Sequence, residues 1–186
     1  MKAKHLFVLI IMMTTIFDIQ SQTLPASKKI LVVYFSHSGN TRVLAQQIRD
    51  ATGGSIYEIQ TVKDYPADYQ TVVDQAKIEI NSNYKPALKT KIRNIESFDV
   101  IFIGSPNWWS TIAPPVATFL TEYNLEGKTL VPFMTHGGGG MGHSVSDIKK
   151  LCPTSTVLEG LPINGRLVRR AEDDVTHWLR EIKMIK

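Results

Sequence analysis

Residues 29–35 read KILVVYF, and residues 36–41 follow at once as SHSGNT. A continuous apolar run rich in β-branched residues marks a strand buried on both faces, as in a parallel sheet. The polar hexapeptide then runs into a segment with Val43, Leu44, Ile48 and Ala51 at helical spacing, closed by Gly53 and Gly54. Strand, short polar loop and helix N-terminus in this order make one half of a βαβ unit.

The same alternation continues along the chain. Residues 55–60 read as a second strand, and residues 68–81 as a helix on the periodicity of Val72, Val73, Ala76, Ile78 and Ile80. Residues 84–97 are polar and read as irregular. Residues 99–104 (DVIFIG) are a third buried strand, and residues 113–123 a helix with Pro114 and Pro115 in its first turn. Residues 128–135 and 154–158 read as the fourth and fifth strands, and residues 143–151 and 171–182 as helices. Strands alternating with helices predict an α/β domain with helices on both faces of a parallel sheet. Ligands of such sheets bind beyond the carboxyl ends of the strands, which directs attention to three loops.

The first loop holds the hydroxyls of Ser36, Ser38 and Thr41, the amide of Asn40 and the flexible backbone of Gly39. A helix N-terminus with such donors suits a phosphate. No lysine follows in the P-loop pattern, so the loop fits a monoester phosphate on neutral donors rather than a triphosphate. The purely structural alternative is a helix cap, with Ser38 or Asn40 as the capping residue.

The second loop, residues 105–111, contains Pro106, Asn107 and the adjacent tryptophans Trp108 and Trp109. Neighbouring side chains in an extended segment point apart, so at least one indole is expected to be free to stack on a planar ring. The third loop has Thr135 and His136 followed by a glycine run from Gly137 and Gly138 to Gly142, broken only by Met141. Its bare backbone can approach a flat ligand and donate N–H groups. Gly137, Gly139 and Gly142 also match GxGxxG, with Glu159 at a later strand end. That unit would leave only one strand after it, so a flexible turn is the better reading than a pyrophosphate site.

A phosphate loop, an aromatic platform and a backbone-donor loop together describe a mononucleotide with a tricyclic head. The segments YFSHSGNTR (34–42), DVIFIGSPNWWSTIAPPVATFL (99–120) and GKTLVPFMTHGGGG (127–140) resemble the flavodoxin family, within it the group with a double-tryptophan loop. The resemblance implies a doubly wound, three-layer fold with a five-stranded parallel sheet in the order 2-1-3-4-5. It implies flavin mononucleotide (FMN), its phosphate on Ser36, Ser38, Gly39, Asn40 and Thr41. The ring would lie against Pro106, Asn107, Trp108 and Trp109, and Thr135, His136, Gly137 and Gly138 would meet its pyrimidine edge. With little positive charge in these loops, stacking on indole is expected to disfavour the anionic reduced ring and lower its potential.

The implied role is electron transfer to a redox partner protein or small acceptor, with no catalytic residue. The alternative is an FMN-dependent NAD(P)H:quinone-type reductase, and a third reading is a binding module that has lost its flavin. Flavodoxins often have a glycine in the aromatic loop and a strongly acidic surface that docks on basic partners. Here residues 105–111 lack glycine and the net charge is +4, so neither property carries over.

Composition narrows the rest. With 43% hydrophobic and 20% charged residues in a chain of 186, the sequence is globular and long enough to bury a core without disulfides or a metal. Basic runs never exceed pairs such as Arg169-Arg170, which argues against nucleic acid as a partner. Cys152 is the single cysteine and reads as a small buried hydrophobe. The histidines fall in no metal-binding frame. Lys2 and Lys4 precede an apolar stretch over residues 6–13, the pattern of a signal peptide and too short for a membrane span of about 20 apolar residues. Residues 1–21 are therefore expected to be a signal peptide cleaved near Ser21, residues 22–186 the FMN-binding domain, and the mature protein exported to the periplasm, no longer spanning a membrane.

Overall fold

The computed structural model describes residues 28–89 and 91–186; the signal-peptide reading lies outside them. The apolar run becomes β1, Ile30–Tyr34, and Gly39 in a left-handed conformation (φ 86°) turns the chain into α1, Asn40–Thr52. The helix stops at Gly53, whose N–H bonds the Arg49 carbonyl, as the paired glycines predict. There follow β2 (Ser55–Glu58), α2 (Tyr69–Asn81), β3 (Val100–Trp108), β4 (Thr111–Ile112), α3 (Pro114–Glu122), β5 (Thr129–His136), α4 (Ser144–Leu151), β6 (Thr156–Val157), β7 (Leu161–Asn164) and α5 (Glu172–Glu181).

The sheet runs β2-β1-β3-β5-β6, all parallel, with β7 also parallel to β5 and β4 folded back on β3. This is the expected 2-1-3-4-5 order with two differences. The fifth position is split: only residues 156–157 of the predicted strand pair, and Leu161–Asn164 resumes beside the far end of β5. Pro162 marks that segment against a central strand, but at a sheet edge its missing N–H costs nothing. The second difference is β3, which continues past Gly104. Ser105 and Pro106 still pair with Met134 and Thr135, and Asn107 and Trp108 pair with Ile112 and Thr111. The predicted loop is mostly a hairpin, because an antiparallel return strand satisfies backbone groups that a free loop would leave to water.

Alternate residues of the central strands feed two cores. Leu31, Val33, Ile101, Ile103, Leu130 and Met134 pack with α3 and α4, through Val116, Phe119 and Ile148. Val32, Tyr34, Val100, Phe102, Val131 and Phe133 pack with α1 and α5, through Leu44, Ile48, Val175 and Leu179. Full burial of each such side chain is worth about 1.5–3 kcal/mol, so both faces of the strands must be apolar. That is the physical content of the run at residues 29–35. No helix among the described residues is long and apolar enough to cross a membrane.

Candidate functional site

A cleft of about 580 Å³ opens beyond the carboxyl ends of β1, β3, β5 and β7, within the usual size for a small-molecule site of roughly 300–1,000 Å³. Ser38, Asn40, Pro106, Asn107, Trp108, Trp109, Thr135, His136 and Gly137 line it. Residues distant in sequence thus meet where the topology predicts. Ser36, Gly39, Thr41 and Gly138 stand behind or beside that lining rather than in it.

At the α1 end, the capping position offers no side chain, and a first-turn N–H is met by a side chain from further back in the loop. Neither Ser38 nor Asn40 takes the capping role that the structural alternative assigns them; Gly39 occupies that position. A capped helix start would have its first N–H groups already bonded. Here the Arg42 N–H bonds Ser36 Oγ at 3.2 Å, and those of Asn40 and Thr41 precede the first intrahelical acceptor. A Cβ built on Gly39 would meet nothing within 4 Å, so the space over the turn is open. Orphan donors around an open hollow fit a phosphate group.

Thr41 also has a partner within the protein. It is buried, and its hydroxyl lies 2.8 Å from that of Thr135. Asn107 is also internally engaged: its Nδ2 donates to the Gly140 carbonyl at 2.8 Å, and its Oδ1 accepts the Ser110 N–H at 2.9 Å. Asn107 lines the cleft and Thr41 stands behind it, and the side-chain donors left for a ligand are correspondingly fewer.

The two tryptophans diverge. Trp108 is half-buried, its ring edge-on to Tyr65, Phe35 and His37 with centroids 5.1, 5.6 and 6.0 Å apart. His37 is pinned by donating Nε2–H to the Pro66 carbonyl at 2.7 Å. Tyr65 donates to Glu79 Oε2 at 2.6 Å; burial first, and then that bond, push its phenol pKa well up. Trp109 is exposed, donates Nε1–H to the Val73 carbonyl at 3.0 Å, and has Lys77 Nζ 4.7 Å over its ring. Trp109 (φ 53°) and Ser110 (φ 67°) form the two-residue turn of the hairpin. Two left-handed residues without a glycine are strained. The turn is held from outside, by the Asn107 bond and by the His143 N–H donating to the Ser110 carbonyl at 2.6 Å.

The glycine loop is not the free turn expected from its composition. Gly142 (φ 51°) approaches so closely that a Cβ would sit 2.2 Å from the Ser110 carbonyl oxygen. Gly142, and less tightly Gly139 against the Asn107 amide, therefore serve packing against the hairpin. Facing the cleft, a Cβ on Gly137 would meet nothing within 4 Å, and His136 Nδ1 is buried without a hydrogen-bond partner. An orphan ring nitrogen in the wall fits a ligand with polar edge groups.

Several cleft residues escape the sequence reading. Tyr69, Val72, Val73 and Ala76 of α2 form one wall; their i, i+3, i+4, i+7 spacing cannot be told from an ordinary core stripe. Asn164, Gly165 and Arg166 form another. The Asn-Gly pair is a turn signal, but with the fifth strand expected at residues 154–158 it does not stand at a strand end, where β7 puts it. Arg166 corrects the expectation of little positive charge. It is the only lysine or arginine in the described lining, which has no carboxylate, and it joins none of the ion pairs among the described residues. No group of three His, Cys, Asp or Glu among the described residues is placed to hold a metal ion.

Comparison with known proteins agrees with this geometry. A family model described as flavodoxin matches residues 29–182. No curated protein matches. Among solved structures, a candidate flavoprotein from Bacteroides eggerthii is 36% identical, covering 86% of this chain and 99% of that one, with a TM-score of 0.75. A second from Bacteroides uniformis is 30% identical, covering 83% and 99%, with a TM-score of 0.74. A Lactobacillus acidophilus flavoprotein solved in complex with FMN is 26% identical, covering 77% and 97%, with a TM-score of 0.64. With the family model spanning nearly all the described residues, the chain belongs to the flavodoxin family.

Proposed function

We propose that this protein binds FMN in the cleft and acts as an electron carrier for exported redox partners. The observation that carries the reading is the start of α1, where the N–H groups of Asn40 and Thr41 have no intrahelical acceptor and Asn40 lines the cleft. The FMN complex of the Lactobacillus relative supports it. Ser38, Asn40 and the first N–H groups of α1 would hold the phosphate. Trp108 and Trp109 would border the ring, and the backbone after Thr135, with His136 Nδ1, would meet its polar edge. When bound, flavin supplies one- and two-electron chemistry, which the protein tunes by stacking and hydrogen bonding. The chain's own part is to fix the ring beside the exposed Trp109 edge and to exclude water behind it with the Trp108, Tyr65 and Phe35 cluster.

An FMN-dependent NAD(P)H:quinone-type reductase is the second reading. It is favoured by the α2 wall, whose Tyr69 is 77% exposed beside the cleft; a second flat ring has an apolar surface there. The apolar leader over residues 6–13 supports export to the periplasm.

The purified protein should be yellow and take up one FMN per chain. A colourless protein with no affinity for added FMN would refute the reading. Mixed with NAD(P)H and a quinone, a carrier leaves the nicotinamide unoxidised, whereas a reductase consumes it. Mass spectrometry of protein recovered from a periplasmic extract should find a chain starting near residue 22; the intact chain held in the cytoplasm would refute export.

A further inference from the structure

We propose that Arg166 holds the negative charge which the ring of bound FMN gains on reduction, and thereby raises the potential of the protein. The proposal rests on the FMN reading of the cleft.

The placement of Arg166 comes from the split edge strand. Asn164 is paired with His136, the last residue of β5, and the Gly165 N–H donates to the His136 carbonyl at 2.9 Å. The chain then turns: Asn164 Oδ1 accepts the Arg166 N–H at 3.0 Å, and the Asn164 carbonyl accepts the Leu167 N–H at 2.8 Å. On its other side Gly165 packs so tightly on the Asn40 amide that a Cβ would lie 2.7 Å from Nδ2. Arg166 is therefore fixed at a turn wedged between the phosphate-end loop and the strand end that carries His136.

The charges decide which part of the ligand needs it. The phosphate end has the orphan N–H groups of α1 and its dipole, which favour an anion without a cation. The end at Thr135, His136 and Gly137 has no lysine or arginine of its own, in a lining with no carboxylate. Oxidised flavin that takes two electrons from a redox partner and one proton from water carries one added negative charge on its ring. A guanidinium with no acidic partner of its own stabilises that charge more than it stabilises the oxidised ring. Arg166 is exposed, so screening limits the effect to roughly tenfold rather than several powers of ten.

The test compares wild type with Arg166→Gln and Arg166→Lys in the FMN-loaded protein, by potentiometric titration and by the Kd of oxidised FMN. For Arg166→Gln the proposal expects an oxidised-FMN Kd within about twofold of wild type and reduced FMN held roughly tenfold more weakly. The two-electron midpoint then falls by about 30 mV, since a tenfold change for two electrons is about 29.6 mV. Arg166→Lys, which keeps the charge, should recover most of the shift. An unchanged midpoint overturns the proposal, whether both redox forms weaken equally, as for a phosphate contact, or neither does. A wild-type protein that binds no FMN overturns the cleft reading as well, so the two failures are distinct.

Discussion

The buried hydroxyls of Thr41 and Thr135 meet 2.8 Å apart, although the residues stand 94 apart in the chain. The bond joins the first turn of α1 to the end of β5. The loop proposed to hold the phosphate and the loop proposed to meet the ring edge thus share one fixed frame. Beside any contact to a phosphate, Thr41 thus ties α1 to β5.

Removing half of that tie should cost more than removing all of it. Thr41→Val leaves the Thr135 hydroxyl buried and unpaired, a penalty of about 1–3 kcal/mol. Thr135→Val does the same to Thr41. The double variant replaces both partners and should be less destabilised than the sum of the singles. Urea denaturation of the four proteins checks the cycle; strict additivity would mean that the pair is not coupled.

Gly39→Ala tests the phosphate cradle. Its left-handed φ of 86° costs an alanine about 1–2 kcal/mol, yet the new methyl would meet no protein atom. It would instead occupy the hollow over the α1 donors. FMN affinity should fall well beyond the loss in stability, while riboflavin, which lacks the phosphate, is much less affected. Equal losses for both ligands would place the phosphate elsewhere.

Ser110→Gly should stabilise the fold. Ser110 stands in a left-handed conformation in a two-residue hairpin turn, where glycine is favoured at the second position. Its backbone bonds to Asn107 and His143 use the main chain only, so glycine keeps them. The gain should be about 1 kcal/mol, seen as a higher urea midpoint with unchanged tryptophan fluorescence. A loss of stability would show that the Ser110 side chain has a role its contacts do not reveal.

Cys152 should make stability fall at alkaline pH. Burial pushes its thiol from 9.0 to about 11. A raised folded-state pKa means the contribution is complete below pH 9.0 and is lost as pH climbs towards 11, because the unfolded chain ionises first. Cys152→Ala should flatten the pH–stability curve in that window. At pH 8 the native thiol should resist a disulfide reagent that labels the unfolded chain at once; rapid native labelling would contradict the burial.

Much of this protein is legible in residues alone. KILVVYF at 29–35 announces a strand buried on both faces, since only apolar side chains can face two cores at once. The loop at 36–41 suggests an anion site because a helix start leaves its first N–H groups without intrahelical acceptors. Both are local properties of a short segment. The hairpin is less legible: residues 105–111 contain no glycine to signal a two-residue turn, and the strained Trp109-Ser110 pair exists only because Asn107 and His143 hold it.

What the sequence determined by itself, then, was the α/β alternation, the order of its strands through family resemblance, and the loops that would meet. The tertiary structure decided which donors in those loops remain for a ligand. Thr41 is turned inward to Thr135 and Asn107 is used between Ser110 and Gly140, while Arg166 is brought into the cleft by an edge strand that pairs only because β5 extends far enough to receive it. Backbone pattern is set by neighbours in the chain, whereas a side chain's last hydrogen bond and a cleft's charge depend on partners up to a hundred residues away.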